Sequence, residues 1–571
     1  MDWMYRFYFS LALLLFFGAS GAGKGAWNGE YTSLKQTRAL QGTAALGVAL
    51  HHLAQKSCGP WHPSAYITHG LDFFLNIGYL FVAVFFFCSG LGLYKSFRGK
   101  PGYLKGFFRR RVLPVVLAFY LSGFLYTGVR LLMGERMDFV KALWYLSGLG
   151  MANFNAWYVI VIPFFYLAFW AAFRFCRREG TAILWVFAFT LAYTVLCASI
   201  DPLSGRWMEG EWWYNTVILF PLGLLFGKYE EPVSRFFRKG YWFWLVFSFA
   251  AVIALFHLSE YLVGIRWSPY MQYGSMKTAY RLLSAGSRWL VCVFYVAFCF
   301  LLLMKVRLGN KALAWLGGMS LDFYLTHGLF VEMFGYSFLD LTRSVVYIRS
   351  VPAFTAAVLG CAVPASLLFR ALRIQTASLP RLLRERRAAG GSPSPQPKTR
   401  RREPSEKLRK IRRAVVPSLL ILLTAGVILA GRKAPDRTIG GLTVAPPDGF
   451  TQKYSDGRYT VWEYGGTDMK PGRLILDADI RGSLAQSFSR AEEVLAGCGW
   501  MKDAELYVNP HGVRMARGFS TETSDYPERR YYVECDSSMF LLCMIEDSRY
   551  YDPEDCEYVM LQTADSIRRN K

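Results

Sequence analysis

Apolar runs of about 20 residues recur along this sequence, each long enough for a helix to cross the ~30 Å hydrocarbon core of a bilayer. They fall at 39–55, 73–94, 112–133, 154–173, 181–199, 213–227, 241–260, 287–304, 314–334 and 351–369. An additional run, Phe7 to Phe17, precedes them and another, Ala414 to Ala430, follows. Backbone inside lipid has no water to bond, so such runs are satisfied as helices. The pattern predicts an all-α polytopic membrane bundle of about ten core helices plus one N-terminal and one C-terminal transmembrane helix. The N-terminal stretch, 1–33, reads as a retained hydrophobic helix or a signal-like segment.

The loops alternate in charge. Lys95 to Arg111 holds seven basic residues and no acidic one, and Arg174–Arg178, Lys228–Lys239 and Lys305–Lys311 are also basic. The intervening loops are longer, acidic or aromatic, which places the basic set in the cytoplasm. A formal charge of +24 over 571 residues could suggest a nucleic-acid partner. The part from Arg432 onward, however, has 18 basic and 23 acidic residues, so the excess sits between membrane runs. Membrane lipid is the expected partner, and no nucleic acid. Residues 373–413 read as a basic cytoplasmic linker rich in Pro and Ser, and 414–431 as a further crossing. That leaves 432–571 as a small extracytoplasmic α+β soluble domain. Its strand-like segments are RYTVWEY, GRLILDADI, AELYVN and RRYYVEC, and its helix-like ones SLAQSFSRAEEVLAG and PEDCEYVMLQTADSIRR.

One run is unusual for its polar groups. Leu34 to Leu53 carries Arg38 and Gln41 at its start and His51 and His52 near its end. On a helix, Gln41 and His52 fall within roughly 20° of one another and Arg38 within about 40°, with Arg38 and His52 roughly 21 Å apart along the axis. His51 points nearly opposite to Arg38. An ionisable side chain at membrane depth marks a functional site by default, although histidines at a helix end can also serve as interfacial anchors. Eleven cysteines are present, seven of them before Arg432 and mostly inside apolar runs. Cys498, Cys535, Cys543 and Cys556 permit disulfides in an exported domain. No CxxC pair or His/Cys cluster points to a metal.

Five further segments stand in a telling order. Gln41-Gly42-Thr43 runs to His51-His52; FFFCSGLGL spans Phe85 to Leu93; YLKGFFRRRVLP spans Tyr103 to Pro114; Asn155-Ala156-Trp157-Tyr158 opens an apolar run; and SLDFYLTH spans Ser320 to His327. Together, over about 34–372, they resemble the membrane-bound acyltransferase family 3. Two positions depart from its pattern: Gln41 stands where a basic residue precedes the histidine, and Phe108 breaks the common Arg-x-x-Arg.

The resemblance implies an O-acyltransferase that takes an acyl group, most simply acetyl, from cytoplasmic acyl-CoA (acetyl-CoA). The acceptor would be a hydroxyl of a polysaccharide or other cell-envelope glycan outside. A neutral histidine suits removal of the hydroxyl proton, so His52 is the expected base and His51 the alternative. Arg109, Arg110 and Arg111, with Arg38, Gln41 and Ser89, would hold the donor's phosphates and its approach. Trp157, Asp322, Tyr324 and His327 would support the site. Aromatic residues at the outer helix ends, among them Trp61, Tyr66, Trp207 and Trp213, suit either an interfacial belt or sugar stacking, with His62 beside them. The soluble domain has no Gly-Asp-Ser block and only His511 among histidines, which points to glycan or wall binding there. The competing reading is a transporter or glycan-export partner without transferase chemistry, favoured by Gln41 and Phe108. Nothing in the sequence sets an oligomeric state.

Overall fold

The computed structural model describes residues 2–60, 67–133, 139–201, 208, 210–272, 275–335 and 346–389 of the membrane region. Of the C-terminal part it describes 438–439, 442–445, 450–455, 459–464, 473–477, 488–497, 501–520, 528–535, 538–545 and 553–569. The linker beyond 389, the apolar run 414–430, Trp61, His62, Tyr66, Trp207 and Cys498 lie outside these residues.

The membrane region is helical. It comprises α1 (Asp2–Phe16), α2 (Leu34–Ser57), α3 (Gly78–Gly99), α4 (Leu113–Leu132), α5 (Phe139–Ser147), α6 (Trp157–Phe175), α7 (Glu179–Ser199) and α8 (Leu219–Lys228). It continues through α9 (Glu230–Arg238), α10 (Tyr241–Tyr261), α11 (Ser268–Gln272), α12 (Lys277–Lys305), α13 (Lys311–Gly317), α14 (Ser320–Phe334) and α15 (Val351–Ala389). Among the described residues, seven segments are long and apolar enough to cross a membrane: α3, α4, α6, α7, α10 with α11, α12 and α15. The chain is a multi-pass membrane protein.

Of the three other expected runs, the first is a continuous helix and two take another form. α2 is continuous but too polar to count by composition. The run 213–227 is a 3₁₀ turn, Glu211–Trp213, followed by α8 of 10 residues. The run 314–334 is broken at Gly317 and Gly318 into α13 and α14, with Asn310 capping α13 through the amides of Ala312 and Leu313.

Two glycine crossings explain how polar and short helices enter the bundle. A Cβ on Gly42 would overlap the Leu313 carbonyl, and one on Gly317 would overlap the Arg38 carbonyl, so α2 and α13 touch backbone to backbone. Gly90 of α3 and Gly223 of α8 make the same kind of contact, against the carbonyls of Phe220 and Phe87. Helices in lipid gain little from apolar burial alone and associate through such close packing.

Residues before α2 pack on the bundle. The Tyr8 hydroxyl donates to the Gly70 carbonyl at 3.1 Å, and Asn310 donates to the Leu14 carbonyl at 2.6 Å. Strand β1 (Ser20–Gly21) pairs antiparallel with β2 (Val306–Arg307). Gln36 both donates to and accepts from the Leu308 backbone, fixing the start of α2 to this pair.

The C-terminal part contains β3 (Thr438–Ile439), β4 (Leu442–Thr443), β5 (Phe450–Ser455), β6 (Tyr459–Tyr464), β7 (Arg473–Asp477), α16 (Ala491–Gly497) and β8 (Met501–Val508). Then come β9 (Arg514–Ser520), β10 (Glu528–Cys535), β11 (Ser538–Ile545), α17 (Pro553–Ser566) and β12 (Arg568–Arg569). Seven strands form one antiparallel sheet in the order β5-β6-β7-β11-β10-β9-β8. Alternation along β10 decides its two faces. Tyr531, Val533 and Cys535 pack with Val559 and Met560 of α17, while Tyr532 packs with Ala491 and Val494 of α16.

Candidate active site

The site begins with a pair of histidines from helices far apart in sequence. His52 of α2 and His327 of α14 are both buried, and their ring planes are parallel to within 3°. His52 Nδ1 and His327 Nε2 are 2.8 Å apart. The other nitrogen of His327, Nδ1, sits 2.9 Å from the Phe323 carbonyl oxygen. A carbonyl only accepts, so His327 Nδ1 carries the proton and, with the ring neutral, Nε2 is a lone pair. His52 Nδ1–H then donates to it, which leaves His52 Nε2 as the basic nitrogen. The order Phe323 carbonyl, His327, His52 thus fixes one tautomer of each ring by hydrogen bonds alone.

Hydroxyl-bearing rings lie on the His327 side of the pair. Tyr324, one turn before His327, has its ring centroid 6.1 Å from that of His327 and 5.8 Å from that of Tyr158 on α6. Gly328, next after His327, leaves a gap in α14. The Tyr126 hydroxyl of α4 and the Asn155 amide nitrogen each lie 2.7 Å from where its Cβ would stand. The hydroxyls of Tyr126 and Tyr324 are buried with no hydrogen-bond partner among the described residues.

A line of polar groups leads from this centre to the basic loop. Tyr158 and Ser89 hydroxyls are 3.4 Å apart. Tyr166, two turns further along α6, stands near Ser89 and Arg111. Arg111 Nε donates to the Tyr103 hydroxyl at 2.8 Å. The three arginines sit on a π-helical turn, Phe108–Val112, that opens α4 ahead of Pro114; single π turns of this kind concentrate at functional sites. They do different things. Arg111 turns inward to Tyr103. Arg110 donates to the carbonyls of Tyr103 and Lys105 at 2.7 and 2.6 Å and holds the loop. Arg109 is exposed and makes no hydrogen bond or ion pair among the described residues.

Residues 37–370 match the family model for an acyltransferase domain, more than half of the chain. This chain belongs to acyltransferase family 3. No curated protein matches it. The membrane region is therefore that of an acyltransferase, and the histidine pair and arginine turn both lie inside the matched segment.

Other expected residues of the acyltransferase take more modest places. His51 Nδ1 donates to the Phe74 carbonyl at 2.9 Å, and its ring packs where Gly78 has no side chain; this ties α2 to the start of α3. Asp322 is buried and held bidentately by Arg373 of α15, at 2.7 and 2.9 Å. Trp157 opens α6 beside Trp213, with ring centroids 6.5 Å apart. Arg38 is exposed, near α13, and Gln41 half-buried on the same helix. Among the described residues no three His, Cys, Asp or Glu side chains converge on one point.

Sequence reasoning passed over Arg373 and Tyr126. Arg373 stands where the sequence marks the start of the linker, but it continues α15 and its charge answers the buried Asp322. Tyr126 lies in an apolar run whose one cation, Arg130, was the available signal. Arg130 is buried, donates to the Ala152 carbonyl at 2.6 Å and comes within 3.9 Å of Glu332.

Proposed function

We propose that this acyltransferase moves an acyl group, most simply acetyl, from cytoplasmic acyl-CoA to a hydroxyl of an extracytoplasmic polysaccharide or cell-wall glycan. The observation that carries the reading is the ordered pair His52–His327, which presents His52 Nε2 as a neutral base. A hydroxyl attacking the thioester loses its proton to that nitrogen, and the imidazolium returns the proton to the departing thiolate. The positive charge formed on His52 is shared through His327 towards the Phe323 carbonyl. Arg109 and Arg111, together with Arg38, would hold the donor's phosphates at the basic face. The line Tyr103, Tyr166, Ser89, Tyr158 and Tyr324 would guide the thioester arm inward. The acceptor would approach from the opposite mouth, and the C-terminal domain, on the outer side, would bind glycan or wall.

The test is transfer of radiolabelled acetyl from acetyl-CoA into the extracytoplasmic glycan of membranes carrying wild type, His52→Gln or Arg111→Gln. Loss in His52→Gln at normal protein level, with a raised donor requirement in Arg111→Gln, supports the assignment. Transfer that persists in His52→Gln removes the base. If wild type transfers nothing, transport or glycan export without transferase chemistry becomes the better account.

A further inference from the structure

We infer that the hydroxyls of Tyr126 and Tyr324 form the oxyanion-binding pair of this site, donating to the thioester carbonyl oxygen as it gains charge. The inference rests on the transferase reading above and adds residues to it. Tyr126 is 1% exposed and Tyr324 6%, and neither hydroxyl has a hydrogen-bond partner among the described residues. Buried hydroxyls are almost always bonded, and an orphan is a cost to folding that Phe at the same position would remove. Two such orphans next to a histidine pair call for a ligand atom.

The geometry brings them together. Tyr324, His327 and Gly328 lie three and four residues apart on one face of α14. The missing side chain of Gly328 is what admits the Tyr126 hydroxyl and the Asn155 amide to that face. Arg130 and Glu332 are the charged groups that face Tyr126. The Tyr158 backbone N–H, in the first turn of α6, lies against the Tyr324 oxygen, which leaves the Tyr324 O–H itself without an acceptor among the described residues. Buried donors thus stand along the face of α14 that carries His327, in a water-poor interior where fixed donors act most strongly.

In the step, the acceptor oxygen bonds to the acyl carbon while its proton passes to His52 Nε2. The C=O electron pair moves onto oxygen, which accepts from the two phenols. Collapse re-forms C=O, breaks the C–S bond and sends the electron pair to sulfur, and the thiolate takes the proton from His52. The products are the acyl ester and the free thiol of CoA.

The test uses full-length protein in its own membranes and, after purification, in nanodiscs. Tyr126→Phe, Tyr324→Phe and the double variant are compared with wild type for acetyl transfer to glycan and for slow hydrolysis of acetyl-CoA. Loss of one oxyanion donor lowers kcat by about 10²–10³-fold. Binding of a thioether analogue of acetyl-CoA, which has no thioester carbonyl, stays unchanged, and the melting temperature is unchanged or raised because no bond is lost. A structural role would instead lower the melting temperature. Variants that keep kcat within threefold, or that lose it only together with melting temperature, overturn the inference while leaving the transferase reading intact. A wild type with no turnover of acetyl-CoA overturns both.

Discussion

Replacing His327 by Leu tests the histidine pair most directly, because Leu keeps much of the bulk and removes the acceptor. In wild type the 2.8 Å bond between His52 Nδ1 and His327 Nε2 links two neutral rings. When His52 takes a proton the same bond becomes charge-assisted. Hydrogen bonds to charged groups contribute about 1.5–3 kcal/mol. At 1.36 kcal/mol per tenfold, loss of that stabilisation in the transition state slows turnover by roughly 10- to 150-fold. The donor is bound elsewhere, so KM for acetyl-CoA stays within about twofold of wild type on this reasoning. His327→Gln, whose amide oxygen can accept from His52 Nδ1, recovers part of the loss. The assay is initial-rate acetyl transfer by purified protein at several acetyl-CoA concentrations, with folding checked by thermal unfolding. A folded His327→Leu protein with wild-type kcat would refute the reasoning, as would a loss confined to KM.

Three other outcomes follow from described contacts. Arg109→Gln and Arg111→Gln raise KM for acetyl-CoA by about tenfold each, as loss of a charge-assisted phosphate contact requires. Arg110→Gln chiefly lowers the melting temperature, because its guanidinium holds two loop carbonyls; titration with CoA and thermal scans separate the two classes. Breaking the Asp322–Arg373 pair from one side, with Asp322→Asn or Arg373→Met, costs about 3–5 kcal/mol, whereas the double variant recovers a large share. A double-mutant cycle on unfolding in detergent reads this directly. His51→Gln retains transfer within about tenfold while His52→Gln loses it, since His51 spends its N–H on the Phe74 carbonyl; the check is the same radiolabel assay, with equal loss in both as the contrary result.

Much of the bundle was legible because lipid imposes a simple rule on long apolar runs. α3, α4, α6, α7, α10, α12 and α15 all fall on runs that composition alone marks out. What composition could not mark was interruption. Gly317 and Gly318 sit in a run that reads as one helix, yet backbone contact with α2 breaks it there. The sheet was legible where strands alternate, as in β6 and β10. It was missed at β11, SMFLLCMI, which is central in the sheet and lacks a polar face. In the site, His52 could be singled out from its own helix, but its bond to His327 spans 275 residues and has no signature in spacing. The division of labour among Arg109, Arg110 and Arg111 likewise depends on Tyr103 and the loop carbonyls, which bring three identical side chains into three environments.

The backbone contact between α2 and α13 also makes the interval from glycine to histidine a ruler. His52 stands ten residues after Gly42, and His327 ten residues after Gly317. The two arms start from one touching point and meet again at the imidazoles. Inserting one residue in either arm shifts its histidine by about 1.5 Å and turns it by about 100°, which is enough to take the ring out of parallel with its partner. Side chains along the arms can change while the centre survives, but their lengths cannot. Chains that share this centre should therefore keep both intervals free of insertions and deletions, even where their loops differ greatly in length.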